Sequence, residues 1–213
     1  MTKVFNRFNS EAEKSLKNGG IGVIPTDTIY GIVCSALSKK SVNKVYRLRK
    51  RSPNKPVIVL INSVHDLKKF GVTLNPIGYK LLAKLWPGPV SVILRMTNSS
   101  AVANAMADKK EQIAKFRYLH RGKNAVAFRL PADVALCRFL KKTGPLIAPS
   151  ANFESEPPAK TIKETQKYFG DKIDFYIDGG KLKSKPSTLI SIKNDKIHVI
   201  RTGAANIKSV NLF

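Results

Sequence analysis

Two short segments of the chain combine polar side chains in a way that suits ligand binding. PTDTIYG, at residues 25–31, places two hydroxyl groups and a carboxylate within three residues, directly after an apolar run. APSAN, at residues 148–152, supplies Ser150 and Asn152 beside small residues that let a ligand approach the backbone. Because ligands usually bind where the strands of an α/β sheet end, both segments are candidate binding loops. The polar residues of PTDTIYG can equally cap a helix or build a turn, and taken alone they favour a turn.

A third segment, residues 39–55, concentrates positive charge. It carries eight lysine and arginine residues, and no acidic residue occurs between Asp27 and Asp66. Solvated helices usually mix both signs of charge, so this imbalance favours an anion site over a simple basic surface. Arginine suits phosphate in particular, because its planar guanidinium can bind two phosphate oxygens at once.

The composition of the whole chain points the same way. The 213 residues include 38 Lys and Arg against 14 Asp and Glu, a formal net charge of +24. So basic a surface attracts polyanions, which makes RNA, DNA or phosphorylated ligands the expected partners, although a lysine-rich background composition would also raise the charge. An apolar content of 43% excludes a wholly disordered chain.

Several classes of protein are disfavoured by what the sequence lacks. Cys34 and Cys137 stand outside any CxxC or Cys/His pattern, which argues against a disulfide framework and a structural zinc site. There is no Walker A motif, GxGxxG or GxSxG, and no pair of carboxylates stands out for acid–base work. No apolar run approaches the roughly 18 residues of a membrane span, so we expect a cytoplasmic protein with no membrane partner. Any catalysis by this protein would therefore depend on positioning its ligands and on positively charged side chains.

The elements that would hold these segments alternate between helix and strand. The patterns predict helices at 10–20, 41–51, 76–85, 132–142 and 161–170, the first opened by a capping box from Ser10 to Glu13. They predict strands at 21–25, 56–61, 90–96, 125–129 and 145–148, then a hairpin of 187–192 with 196–200. This order predicts an α/β domain on a mixed sheet, one domain over residues 1–213, with 97–123 as an insertion or mobile segment.

A series of motifs gives the chain a family resemblance. PTDTIYG, KPVIVLI, LWPGPVSVIL, FRLP, APSAN, DGG, PSTLIS and VIRTGA follow one another in an order that resembles the YrdC/TsaC-type threonylcarbamoyl-AMP synthases. The resemblance covers nearly the whole chain, residues 10–203. It implies a YrdC-like fold: a twisted, open, mixed sheet flanked by helices, with a basic concave face.

The resemblance also implies an activity. The protein would be a nucleotidyltransferase that combines L-threonine, bicarbonate or CO2, and ATP into threonylcarbamoyl-adenylate and releases pyrophosphate. The product would pass to a tRNA threonylcarbamoyl-transfer complex, which modifies adenosine 37 of tRNAs that read ANN codons. ATP is a substrate here, and Mg²⁺ is expected to accompany its phosphates.

Roles for single residues follow from the same resemblance. Threonine would be bound by Thr28, Arg129, Ala148 and Ser187. ATP would be bound by Arg49, Arg51, Lys55, Ala125, Ser150, Asn152, Pro158 and Arg201. Arg51, Ser150 and Arg201 would be the catalytic residues, and no metal-ligating residue is implied.

The chain departs from the family pattern at three places. The KxRP element reads Arg49-Lys50-Arg51-Ser52, and Leu60 stands where some relatives place a histidine near threonine. Because the sequence ends soon after VIRTGA, we expect it to lack the extra C-terminal domain of longer relatives.

Two other functions use the same fold. A non-enzymatic protein that binds double-stranded or ribosomal RNA would explain the charge equally well, since RNA affinity comes largely from phosphate neutralisation. The carbamoyl-transfer domain of hydrogenase maturation factors belongs to much longer chains. An RNA-binding protein has no need of Thr28, Arg129 and Ser187 beside a nucleotide pocket, so these residues favour the enzyme.

Overall fold

The computed structural model of the protein describes residues 2–96, 111, 113–193 and 196–207. Its strands are β1 (Lys3–Phe5), β2 (Gly22–Ile24), β3 (Gly31–Ser35), β4 (Ile58–Leu60), β5 (Val90–Arg95), β6 (Ala125–Arg129), β7 (Leu146–Ile147), β8 (Phe175–Ile177), β9 (Thr188–Lys193) and β10 (Lys196–Arg201). The described α-helices are α1 (Ser10–Lys17), α2 (Lys39–Leu48), α3 (Pro76–Leu85), α4 (Arg117–His120), α5 (Val134–Thr143) and α6 (Ile162–Phe169). Short 3-10 helices span Val64–Phe70 and Gly170–Lys172.

All these strands belong to one mixed sheet. Their order is β1-β8-β2-β3-β7-β4-β6-β5-β9-β10. The pairs β1–β8, β8–β2, β4–β6 and β5–β9 are parallel, and the other pairs are antiparallel. The predicted α/β fold, a twisted mixed sheet flanked by helices and ending in a hairpin, is confirmed.

The sheet is covered on both faces by apolar side chains. Successive residues of β2 and β3 alternate between two buried clusters: Val23 and Ile32 pack into one, while Ile24 and Val33 pack into the other. This alternation is what a strand buried on both faces produces, because neighbouring side chains point to opposite sides. Helices α2, α3 and α6 cover the first face, and α1 and α5 cover the second.

The first helix begins differently from the prediction. Its N-cap is Asn9, whose side-chain oxygen accepts a hydrogen bond from the Ala12 backbone amide at 2.9 Å. The capping box predicted from Ser10 and Glu13 is therefore wrong, since Asn9 already satisfies the free amide and Ser10 lies inside the helix. The helix also ends at Lys17, before the glycine pair.

One further helix begins at a different residue from the predicted one, and three strands were not predicted. Helix α2 begins at Lys39, two residues before the predicted start, because the Ser38 hydroxyl accepts from the Ser41 amide and caps it. Strands β1, β3 and β8, of three, five and three residues, were not predicted. Of the expected insertion at 97–123, residues 97–110 and 112 lie outside the described part of the chain.

No helix in the described ranges has the length and apolar character needed to cross a membrane.

A glycine in β2 provides a test of this packing. An added Cβ at Gly22 would lie 2.2 Å from the ring of Phe175, which is itself fully buried. We expect Gly22→Ala to lower the free energy of unfolding by about 1–3 kcal/mol, because an overpacked core must shift. Gly31→Ala is the matched control, since its Cβ would find ordinary contacts at 3.4 Å and beyond. Urea denaturation of both variants measures the difference, and equal stabilities would contradict the packing described for β2.

Candidate active site

A small chamber of about 150 Å³ lies beside the PTDTIYG loop. Strands β4 and β6 and the segments that follow β7 and precede β9 complete its wall. It is lined by Thr26, Thr28, Ile29, Tyr30, Gly31, Ile58, Leu60, Arg129, Ala148, Ser150, Pro158, Pro186, Ser187 and Arg201. Hydroxyl groups and two guanidinium groups give this chamber a polar, cationic wall suited to a small anionic ligand.

A large chamber of about 430 Å³ adjoins the small one. It is lined by Arg51, Pro56, Val57, Ile58, Ile93, Lys123, Ala125, Ala127, Pro149, Ser150, Leu189 and Arg201. The two chambers share Ile58, Ser150 and Arg201. Apolar strand residues with three cations suit a ligand that has both a flat apolar part and negative charge, as a nucleotide has.

Arg129 is the buried cation of the small chamber, with 4% of its surface exposed. One terminal nitrogen donates to Asp27 Oδ1 at 2.7 Å, and the other donates to the Thr28 hydroxyl at 2.9 Å. Its Nε atom is buried and has no hydrogen-bond partner among the described residues. Burial lowers the pKa of Arg129, Asp27 opposes this effect, and the charge of Arg201 lowers the pKa further. Arg129 is thus rigidly held and keeps a free donor.

The PTDTIYG loop turns out to be both a turn and a site wall. The Thr26 hydroxyl donates to the Ile29 carbonyl at 2.7 Å and accepts from the Thr28 amide at 3.2 Å, so Thr26 shapes the turn. The Thr28 hydroxyl pairs with that of Thr26 at 3.0 Å and accepts a hydrogen bond from Arg129. Asp27 connects the loop to the segment after β6, because its second oxygen accepts from the Ala132 amide at 3.2 Å.

Arg201 and Ser187 meet where the two chambers join. An Arg201 terminal nitrogen donates to the Ser187 carbonyl at 2.9 Å. The Ser187 hydroxyl pairs with that of the buried Ser91 at 2.8 Å, which fixes its position. Burial, and then the charge of Arg51, lower the pKa of Arg201. The charges of Arg51 and Arg201 are therefore close enough to oppose each other, and a bound anion would offset this repulsion.

Arg49 fixes the APSAN loop from behind. The side chain is 3% exposed; its Nε donates to the Asn152 carbonyl at 3.0 Å, and a terminal nitrogen donates to the Ser150 hydroxyl at 3.1 Å. Burial, and then the charge of Arg51, lower the pKa of Arg49 to about 10, so the group stays charged at neutral pH. Arg49 is not among the described residues that line either chamber.

The residues predicted from the sequence fall into three groups. The four assigned to threonine all line the small chamber: Thr28, Arg129, Ala148 and Ser187. Of those assigned to ATP, Arg51 and Ala125 line the large chamber, Ser150 and Arg201 line both, and Pro158 lines the small one. Arg49, Lys55 and Asn152 are absent from the described linings, and Lys55 forms an ion pair with Glu154 at 2.7 Å on the surface.

Sequence reasoning missed three residues of this site. Asp27 stands in a motif that was recognised, but its partner lies 102 positions away, so nothing nearby in sequence signalled the pair. Ser91 sits inside an apolar strand and reads as an ordinary strand residue. Lys123 belongs to the segment 97–123, whose pattern gave no clear element.

Solved structures resemble this architecture closely. Pyrococcus abyssi Sua5 complexed with L-threonine matches with a TM-score of 0.80 and 25% identity, over 99% of this chain and 59% of that chain. Escherichia coli YciO matches with a TM-score of 0.79 and 20% identity, over 99% of this chain and 100% of that chain. The second likeness concerns the fold alone.

Relatives with similar sequences also match this chain over most of its length. A Methanocaldococcus jannaschii protein is 33% identical over 199 residues, which are 93% of this chain and 86% of the relative. The threonylcarbamoyl-AMP synthase of Thiobacillus denitrificans is 28% identical over 186 residues, 85% of this chain and 89% of the relative.

Among the described residues, a ten-stranded mixed sheet carries a cationic small chamber beside a larger, mostly apolar one, which defines a class of protein with room for a small anion next to a nucleotide-sized ligand. The family model Sua5_yciO_yrdC, described as telomere recombination, matches residues 14–203. The chain belongs to this family, and the resemblance identified from the motifs is confirmed.

The ion pair of Arg129 with Asp27 is the interaction in this site whose loss should cost most. Asp27→Asn leaves a guanidinium buried without its counter-charge, so we expect the free energy of unfolding to fall by about 3–5 kcal/mol. The control is Glu11→Gln, which breaks an exposed ion pair with Lys3 and should cost at most about 1 kcal/mol. Guanidinium denaturation of both variants tests this, and similar losses would show that Arg129 does not depend on Asp27.

Proposed function

We propose that the protein is a threonylcarbamoyl-AMP synthase, which makes threonylcarbamoyl-adenylate and pyrophosphate from L-threonine, bicarbonate or CO2, and ATP. One observation carries the proposal: the four residues assigned to threonine line a small chamber that opens to a nucleotide-sized chamber at Ser150 and Arg201. The names of relatives that match most of this chain support the same reaction.

The small chamber fits an amino acid bound by its carboxylate. Arg129 is fixed by Asp27 and Thr28 and keeps its Nε donor free, and a carboxylate is the acceptor that a guanidinium binds best. Ser187 and the backbone at Ala148 offer further contacts in the same wall. That Sua5 of Pyrococcus abyssi forms a complex with L-threonine supports this assignment.

The large chamber would hold ATP. Ala125 and Ala127 of β6, with Ile93 and Leu189 of the neighbouring strands, offer an apolar surface to the nucleoside. Arg51 and Arg201 would face the phosphates; Arg51 is steadied by donating to the Pro56 carbonyl at 2.7 Å. Positioned cations of this kind stabilise the charge that develops during phosphoryl transfer.

In this reaction the nucleophiles come from the substrates, so the main task of the protein is to position them. The threonine amine would attack the carbon of CO2 and lose a proton, which gives a carbamate. A carbamate oxygen then attacks the α-phosphorus, and the bond from that phosphorus to the β-phosphate oxygen breaks as pyrophosphate leaves. Because the chambers join at Ser150 and Arg201, we place the α-phosphate there and assign both residues, with Arg51, to catalysis.

Mg²⁺ belongs to the proposal as the usual companion of ATP phosphates. Within the described ranges, no group of three or more His, Cys, Asp or Glu side chains is placed to hold a metal ion. Asp27, between the lining residues Thr26 and Thr28, is already engaged by Arg129 and the Ala132 amide.

RNA contact through a basic concave face, transfer of the product to a tRNA-modifying complex, and a cytoplasmic location stay predictions from the sequence. So does the extent of the domain over residues 1–213. The non-enzymatic RNA-binding alternative is not favoured, because relatives that cover most of this chain are named as synthases.

Pyrophosphate release from ATP tests the proposal. With purified protein and Mg²⁺, we expect release only when both threonine and bicarbonate are present, since the carbamate that attacks the phosphate needs both. Omitting each in turn and identifying threonylcarbamoyl-adenylate by mass spectrometry provides the readout. Release that needs neither co-substrate, or no release, would contradict the proposal.

Two arginine variants should distinguish the substrate of the small chamber from that of the large one. Arg129→Ala should raise the KM for threonine about 10- to 100-fold with a smaller effect on ATP, and Arg51→Ala should do the reverse, because each loses charged hydrogen bonds to one substrate. Arg138→Ala, an exposed arginine on α5, is the control and should change neither constant. Equal effects on both substrates from Arg129→Ala would remove its assignment to threonine.

A further inference from the structure

Two pairs of hydroxyl groups contribute to the wall of the small chamber. The Thr26 and Thr28 hydroxyls are 3.0 Å apart, and the Ser187 hydroxyl lies 2.8 Å from that of Ser91. Thr26, Thr28 and Ser187 line the chamber, whereas Ser91 is fully buried and is not among the described lining residues. A hydroxyl holds one proton and accepts with two lone pairs. The direction in which the protons of each pair point therefore decides what the chamber offers to a ligand.

The direction of the hydrogen bond between Thr26 and Thr28 follows from a third oxygen. The Thr26 hydroxyl lies 2.7 Å from the Ile29 carbonyl oxygen, and because a carbonyl oxygen only accepts, Thr26 donates its one proton there. Thr28 must then supply the proton of the hydrogen bond between the two hydroxyls. Thr26 also accepts from the Thr28 and Ile29 backbone amides at 3.2 and 3.3 Å, which hold its oxygen in this place.

Thr28 therefore lines the chamber as a hydrogen-bond acceptor. Its proton points to Thr26, and one of its lone pairs receives the 2.9 Å hydrogen bond from Arg129. Among the described residues no donor remains for the second lone pair, and the Thr28 side chain is buried. A buried acceptor without a donor costs free energy, so this position favours a ligand that brings an N–H or O–H group.

Arg129 indicates which group of the ligand this is. Its free Nε is the donor proposed for the threonine carboxylate, and one of its terminal nitrogens lies 2.9 Å from the Thr28 hydroxyl oxygen. In an α-amino acid the nitrogen is bonded to the same carbon as the carboxylate, whereas the threonine side-chain hydroxyl is one bond further away. The nitrogen of a carbamate, like that of a peptide bond, is a donor and not an acceptor. It therefore needs an acceptor such as Thr28.

We propose that Thr28 accepts the N–H group of the carbamate that threonine forms with CO2, and that Thr26 is a positioning residue that keeps Thr28 an acceptor. The proposal rests on the proposed function and deepens it. A carbamate nitrogen is planar, like that of a peptide bond, so its three substituents lie in one plane. Once Arg129 fixes the α-carbon side and Thr28 fixes the hydrogen, one direction is left for the carbamate oxygens. The reaction requires that direction to be the junction of the two chambers.

Binding of two unreactive ligands to the full chain tests the acceptor. N-acetyl-L-threonine resembles the carbamate in shape and carries its N–H group, and the matched ester has an oxygen in place of that group. By isothermal titration calorimetry, the parent protein should bind the amide about 10- to 100-fold more tightly, because the ester sets a lone pair against Thr28. Thr28→Val has a similar shape and no acceptor, so its affinities for the two ligands should agree within about threefold. An equal preference in the parent protein and in Thr28→Val would overturn the proposal.

The role of Thr26 is tested by the same ratio of affinities. Thr26→Ser keeps the hydroxyl that receives the Thr28 proton, so the preference for the amide should persist. Thr26→Val removes that hydroxyl and frees the Thr28 proton for the ester oxygen, so the preference should fall about 10-fold or more. A purely structural role would weaken the binding of both ligands alike and leave the ratio unchanged, which would overturn the assignment of Thr26.

Ser91→Ala is the matched control for Thr26→Val. It also deletes a hydroxyl that is paired with a lining hydroxyl, here that of Ser187, but it leaves the pair of Thr26 and Thr28 intact. The ratio of the two affinities should stay within about threefold of that of the parent protein. A loss of preference as large as that in Thr26→Val would overturn the specific role of Thr26.

A third ligand tests the competing donor, the side-chain hydroxyl of threonine. N-acetyl-L-2-aminobutyrate lacks this hydroxyl and keeps the N–H group. If Thr28→Val lost the preference for N-acetyl-L-threonine over this ligand and kept the preference for the amide over the ester, the proposal would be overturned in favour of the hydroxyl.

Formation of threonylcarbamoyl-adenylate by the parent protein, measured in parallel, separates this proposal from the proposed function. Product formation without a preference for the amide that depends on Thr28 would overturn the proposal and keep the reaction. The preference without any product would overturn the reaction and keep Thr28 as the acceptor of an acylated amino acid.

Discussion

Buried guanidinium groups are the constraint on which the rest of the site depends. Arg49 and Arg129 are 3% and 4% exposed, and removing such a charge from water costs several kcal/mol unless the protein supplies partners. Arg129 obtains one carboxylate, Asp27, whereas Arg49 is held by the Asn152 carbonyl and the Ser150 hydroxyl. Arg49 Nη1 and Arg129 Nε have no hydrogen-bond partner among the described residues. Anionic substrates of an enzyme would supply the acceptors that such guanidinium groups lack.

The fold supplies those partners by bringing distant segments together. Arg49 follows α2 and fixes the loop after β7, while Asp27 follows β2 and reaches Arg129 at the end of β6. Each contact joins residues more than a hundred positions apart, so the site forms only when the central strands have paired. The same contacts therefore stabilise the fold and prearrange the site, which keeps the reorganisation on ligand binding small.

The class of fold, and many of the residues that line the two chambers, could be predicted from the sequence. Strongly apolar strands such as β5 and β6, and a helix with a proline at its start such as α3, were predicted at or near their observed bounds. Strands β3 and β8 were not predicted; β3 pairs with β2 and β7, and β8 pairs with β1 and β2, all of them distant or separate segments that the local pattern does not reveal.

The assignment of Arg49 to ATP stays a prediction, and the structure adds contacts of this residue that its motif position did not indicate. Its motif position suggested contact with ATP, yet in this chain the long guanidinium turns toward the APSAN loop and bridges two of its residues. Only the fold could reveal this, because the orientation of an arginine depends on acceptors 101 and 103 positions away.

A structure of the protein with L-threonine and a non-hydrolysable ATP analogue tests the central claim most directly. The account predicts the threonine carboxylate against Arg129 in the small chamber and the α-phosphate beside Ser150 and Arg201, where the two chambers join. A nucleotide bound away from that junction, or threonine without contact to Arg129, would contradict it.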